Sequence, residues 1–167
     1  MRLYLLILLM SYCYSLSAQE HSFKKEFSVK SDDDAYLLQR KDKYYTAGTF
    51  FDLHVAKEKN NKKIINSFEL GQMIYTPRKP FGSPPGELDR PFCGYLYLKF
   101  GQTFFSSKNE VLQYDISAGA IGDASLGENI QTSVHKIFGL YHFTGWEYQI
   151  GNSAELNTHF QYATSLA

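Results

Sequence analysis

Val111-Leu112-Gln113-Tyr114-Asp115-Ile116-Ser117-Ala118-Gly119-Ala120-Ile121 is the stretch that decides the fold. Leu112, Tyr114, Ile116, Ala118 and Ala120 alternate with Gln113, Asp115, Ser117 and Gly119. A period of two over ten residues marks a strand with one apolar and one polar face. Tyr44 to Val55 reads the same way: Tyr45, Ala47, Phe51, Leu53 and Val55 fall on one face, Thr46, Gly48, Asp52 and His54 on the other. Noisier runs cover Phe23 to Lys30, Ile64 to Thr76, Gly94 to Ser106, and Trp146 to Leu166 with a break near Gly151. Several are longer than an ordinary soluble strand.

The connections alternate in kind. Lys57 to Lys63 and Ser106 to Glu110 are short polar turns, whereas Ser31 to Lys43, Pro77 to Phe92 and Gly122 to Gly145 are long. Short turns at one end, long loops at the other and alternating strands between them describe an antiparallel transmembrane β-barrel of outer-membrane type. Composition agrees. Aromatics make 16% of the 167 residues, with 13 Phe and 13 Tyr, the residues that form girdles at membrane interfaces. A formal net charge of +0 excludes a broad basic field for nucleic acid. The competing architecture is a soluble β-sandwich, which shares the alternation.

The first eighteen residues read as a cleavable signal peptide. Arg2 is the positive start, Leu3 to Met10 the apolar run, and Ser15-Leu16-Ser17-Ala18 the small-residue end, with cleavage before Gln19. Residues 19–167 would then be the N-terminal part of a barrel domain, exported to the bacterial outer membrane. Cys93 is the one cysteine left in that part, so no intrachain disulfide is expected.

One helix is expected in the last long loop. Ser125-Leu126-Gly127-Glu128 has the pattern of a capping box. From there to Phe138, Glu128, Gln131 and His135 share a face, and Leu126, Ile130, Val134 and Ile137 accompany them. Such a helix would lie over the barrel mouth or wall. Chemistry is sparse elsewhere. Asp32-Asp33-Asp34, placed in a loop just after a strand, offers hard oxygens suited to Ca²⁺, or is a solvated acidic turn. His135 is a possible base held by Gln131, or an exposed helix histidine. His54 reads as a lining residue.

Several blocks together resemble the outer-membrane lipid A 3'-O-deacylase family (LpxR type). They are Ser31 to Asp34 followed by Asp42 to Gly48; Gly71 to Pro77; Asp89 to Tyr97; and Gly127 to Gln131 through His135 to Gly139, then Gly145-Trp146. The resemblance implies a twelve-stranded barrel and a Ca²⁺-dependent esterase that releases the 3'-linked acyloxyacyl group of lipid A, in the lipopolysaccharide of the outer leaflet. It places His135 at the water-activating histidine, Gln131 at the glutamine before it, Thr46 at the active-site threonine and Asp32 at the metal-binding aspartate of an Asn-Asp pair. Ser31 stands where that pair has its asparagine, and Glu87 where some members have lysine. Glu87 would repel a lipid A phosphate, so a non-catalytic barrel keeping the family scaffold is the alternative. Twelve strands of about ten residues plus loops need roughly 250 residues. About six are legible here, half of a ring. Either the chain is part of a longer one, or the strands close into a smaller barrel, or two chains assemble; the first, which is favoured, predicts a curved open sheet with no pairing between the first and last strands.

Overall fold

The computed structural model describes residues 24–33, 44–59, 62–78, 87–106, 109–139 and 144–165. The signal-peptide reading, Cys13 and Asp34 lie outside them. Six strands form one antiparallel sheet in chain order: β1 (Lys25–Asp33), β2 (Tyr44–Lys59), β3 (Lys62–Thr76), β4 (Cys93–Phe105), β5 (Glu110–Ile121) and β6 (Ser153–Thr164). The helix α1 (Gly127–Phe138) follows β5. Among the described residues no pairing joins β1 to β6, so the sheet is open. Among the described residues no second sheet covers it, which separates it from a sandwich. No helix among them is long and apolar enough to cross a membrane, which leaves spanning to the strands.

Register carries the alternation from strand to strand. Val29, Phe51, Leu70, Leu98, Ala118 and Leu156 form one row across the sheet, and Phe27, Leu53, Phe68, Phe100 and Ile116 the row below. These side chains stand on the outer face and are largely uncovered; Leu98 is 66% exposed. An apolar skin this extensive is stable only against something equally apolar, and a bilayer supplies it. Tyr114 and Ile116 are exposed on that skin, as a barrel requires.

The inner face is polar and internally paired. Glu69 accepts the Tyr97 hydroxyl at 2.5 Å and the Lys99 ammonium at 2.8 Å. His54 bonds Ser67 at 2.9 Å, and His159 meets Asp115 at 3.0 Å. His54 is thus a lining residue with a partner. Cys93 is a free thiol.

Three sequence boundaries shift. β1 runs on through Asp32 and Asp33, so these are the end of a strand and not a loop. The turn after β2 is shorter than Lys57 to Lys63, because strand pairing continues to Lys59 and Lys62. Trp146–Tyr148 is a single 3-10 turn, and β6 begins only at Ser153.

Candidate functional site

The long loops gather at one rim, where β1, β3 and β5 end and β2, β4 and β6 begin. Backbone bonds staple them to the sheet. The Gly122 N–H reaches the Gly94 carbonyl at 3.0 Å, and the Ile150 N–H reaches that of Phe92 at 2.9 Å. Gly122 (φ 85°) turns the chain out of β5 into a 3-10 turn, Asp123–Ser125. Leu126 then takes a left-handed conformation (φ 60°) as the residue before α1. The expected capping box does not form. Ser125 is buried and its hydroxyl donates backward to the Gly122 carbonyl at 2.5 Å, so it is spent on the turn before the helix.

Glycine decides how close α1 comes. A Cβ on Gly94 would sit 2.1 Å from Ser125 Oγ and 2.9 Å from Gly127 Cα. Two bare backbones therefore touch, and α1 lies against β3 and β4 on the outer face. The contact fixes the helix rotation as well. Gly127, Gln131 and His135, spaced four residues apart, lie along one side of the helix. Gly127 faces the wall, Gln131 is 5% exposed, and His135 is half-buried. Gln131 Oε1 accepts the Trp146 indole N–H at 2.9 Å. Trp146 packs on Phe92 (ring centroids 5.0 Å apart), and with Ile74 they form a small core under the helix.

The apolar side chains of α1 are not buried against the wall. Ile130, Val134, Ile137 and Phe138 are exposed, Ile137 to 76%. A helix lying on a soluble protein would turn these residues inward. Here they stay exposed, as do the polar Glu128, Asn129, Ser133 and Lys136, and only Gly127 and Gln131 of the helix are buried.

A β-bulge sets the second half of the site. Tyr45 pairs with Tyr75 and Ala47 with Ile74, which leaves Thr46 as the extra residue. Tyr45 is thereby turned to the inner face, where its hydroxyl donates to Asp32 at 3.1 Å. Thr46 joins Ala47 on the outer face and bonds the hydroxyl of Thr76 at 2.7 Å, both side chains being buried. Strict alternation had put Tyr45 outside and Thr46 inside. The bulge reverses both, because one inserted residue flips every side chain beyond it.

The same parity separates the acidic residues. Phe27, Val29, Ser31 and Asp33 occupy outer-face positions of β1; Asp32 occupies an inner one. Asp33 pairs with Ala47, beside Thr46. Of the residues singled out from the sequence, Thr46, Gln131, His135 and Ser31 are thus on the outer side, and Asp32 is across the sheet from them. Asp33, read only as part of the acidic run, and Thr76 and Trp146, read only within the family blocks, were not singled out. Counting the alternation of β1 two residues further would have found Asp33.

Loop residues close the rim. Asp89 accepts the Arg78 backbone N–H at 2.9 Å, and that bond, aided by Tyr44 and Arg90, holds its carboxyl below the usual carboxylate range. The Arg90 guanidinium lies 4.0 Å over the Tyr44 ring. As for a cation, no three His, Cys, Asp or Glu side chains converge among the described residues. The oxygen donors on the site side are the Asp33 carboxylate with the Ser31 and Thr46 hydroxyls. Their hardness fits Ca²⁺, although they supply fewer than the six to eight oxygens it takes.

The geometry can be set beside known proteins. LpxR from Salmonella typhimurium superposes with a TM-score of 0.64 at 23% identity, over 80% of this chain and 48% of that one. At that identity the likeness concerns the fold, and the chain spans about half the length of that relative. No curated protein matches significantly. The family model described as outer membrane protein LpxR matches residues 3–167. With that model running over nearly every residue, and an open antiparallel wall carrying its helix on the apolar side, the chain belongs to the outer membrane protein LpxR family.

Proposed function

We propose that this chain carries the site of an outer-membrane lipid A deacylase, which hydrolyses the ester of the 3'-linked acyloxyacyl group. The supporting observation is the helix lying on the outer wall. It holds Gln131 and the half-buried His135 against the wall, while Ile130, Val134 and Ile137 stay exposed. A polar slot on the hydrocarbon side of a barrel suits a substrate that stays in the leaflet.

His135 takes a proton from water, and the hydroxide so formed attacks the ester carbonyl. The carbonyl C–O bond to the sugar then breaks. The imidazolium returns its proton to the sugar oxygen, leaving a free hydroxyl and a carboxylic acid. Gln131, anchored by Trp146, positions the helix turn that bears His135. Thr46 and Ser31 present hydroxyls on the same side. The expected aspartate ligand is Asp32; face placement makes Asp33 the better candidate. Asp33 with the Ser31 and Thr46 hydroxyls would hold a Ca²⁺, which would supply Lewis-acid polarisation of the carbonyl. Export by a signal peptide to the outer membrane belongs to the same reading.

The test is mass spectrometry of lipid A from cells expressing the full protein or its His135→Ala variant, with and without Ca²⁺. Loss of the 3'-linked group only with the intact histidine is expected, and a general base contributes about 100- to 10,000-fold to the rate. Identical lipid A in every sample would leave the non-catalytic scaffold. Ser31 and Glu87, the two departures from the family pattern, are what favour that second reading.

A further inference from the structure

Charge on the outer face of the sheet is confined to its two ends. Between Asp33 at the rim and Lys25 at the other end of β1, the outer-face positions of all six strands hold no Asp, Glu, Lys, Arg or His. The lower border of this uncharged band is a hydrogen-bonded polar row. Asn66, Gln102 and Tyr114 pair across β3, β4 and β5, in the same row as Lys25 and Val55. Gln102 Nε2 donates to Asn66 Oδ1 at 2.7 Å, and the Tyr114 hydroxyl donates to Gln102 Oε1. Amides that satisfy one another, ended by a tyrosine, suit the level at which hydrocarbon gives way to headgroups.

Beyond that row the outer face turns basic. Lys57 follows Val55 after one two-residue step of about 7 Å. Lys62 stands one step beyond Ile64, the residue opposite Lys57, and Lys59 takes the position opposite Lys62. Lys25, Lys57 and Lys62 are exposed, and none of them forms an ion pair among the described residues. The nearby acids are directed elsewhere. Glu26 and Glu58 occupy inner-face positions, in register with His54 and Lys63. Glu110 is on the outer face of β5, two strands or about 10 Å from β3. It accepts the Tyr162 hydroxyl at 3.3 Å. The chain as a whole has no net charge, so this excess is local.

A lysine at the edge of an apolar band lays its stem along the band and carries its ammonium out to headgroup level. The rim that bears His135 is at the other end of the strands, so these ammonium groups fall in the opposite leaflet. We infer that Lys25, Lys57 and Lys62 form a binding surface for anionic phospholipid headgroups in the leaflet opposite the rim. Zwitterionic headgroups also offer a phosphate, but their own ammonium competes for it. A headgroup of net negative charge leaves its phosphate to the lysines. The inference needs strands that span a bilayer, and it is independent of any ester chemistry at the rim.

The test reconstitutes the full protein in phosphatidylcholine vesicles holding a trace of spin-labelled phosphatidylglycerol or spin-labelled phosphatidylcholine. Electron paramagnetic resonance gives the association of each label with the protein. Wild type should prefer phosphatidylglycerol by about 2- to 5-fold, one lysine near a charged headgroup being worth about 5-fold where it acts alone. Raising the ionic strength from about 0.01 M to about 1 M should shrink that preference. K57Q/K62Q should lower it by about half or more. K30Q/K63Q removes the same charge from inner-face positions and should leave it unchanged. If K57Q/K62Q does not insert, K25Q alone is read against K30Q in the same way. An equal preference in wild type and K57Q/K62Q, or an equal loss in K30Q/K63Q, overturns the inference, the second because net charge and not a surface would then be at work.

Discussion

Asp32 and Asp33 are neighbours in the chain and lie on opposite faces of the sheet. Asp32 takes the Tyr45 hydroxyl on the inner face; Asp33 sits beside Thr46 on the outer one. Their substitutions should therefore diverge. In the full protein, Asp33→Asn is expected to cut acyl release on the order of 100-fold, the scale of losing one charge-stabilising group at a reacting carbonyl. Asp32→Asn removes part of an exposed hydrogen bond and should cost no more than about 1 kcal/mol of stability, with release preserved. Comparable losses of release from both would break the link between face and function. At this scale the sequence showed residue types well and directions poorly. His135, Gln131 and Thr46 were legible as chemistry. Which face each aspartate takes was not, because one residue of strand length decides it and strand ends are the least certain part of a reading.

At the level of single elements, the strands were legible and their irregularities were not. Alternation in Val111 to Ile121 survives into β5 unchanged, down to the outward Leu112, Tyr114 and Ile116. In β2 the same reasoning failed at Tyr45 and Thr46, since a bulge leaves no mark in a hydrophobicity pattern. For α1 the periodicity correctly grouped Gln131 with His135, yet it could not say which side met the wall. That orientation comes from the Gly94–Gly127 contact, two glycines far apart in sequence. Gly94→Val should make the case: the added side chain would collide with Ser125 and the helix backbone. A cost of about 1–3 kcal/mol is expected, the range for overpacking, together with loss of acyl release. Thermal melts and release assays on the same preparation would show both. Normal release from G94V would mean that the helix need not lie against the wall.

For the whole molecule, the sheet leaves the edges of β1 and β6 without a partner strand among the described residues. Hydrocarbon does not tolerate unpaired backbone groups, so in a membrane both edges require strand partners. The length comparison agrees, with about half of the Salmonella relative covered. The faces assign the surroundings. Leu98 points outward and its chain neighbour Lys99 inward to Glu69. Leu98→Lys should destabilise the protein in a bilayer by about 2–4 kcal/mol, the cost of a charge near mid-membrane on a barrel's lipid face. Denaturant titration in phospholipid vesicles measures it, and an unchanged midpoint would argue that this face meets water.

The outward-facing Ile130, Val134 and Ile137 carry one more consequence. A substrate anchored in the leaflet reaches a site beside such residues sideways, by diffusion in two dimensions. Turnover should then follow the mole fraction of substrate among its neighbouring lipids, and diluting the suspension with buffer should leave the rate per enzyme where it was.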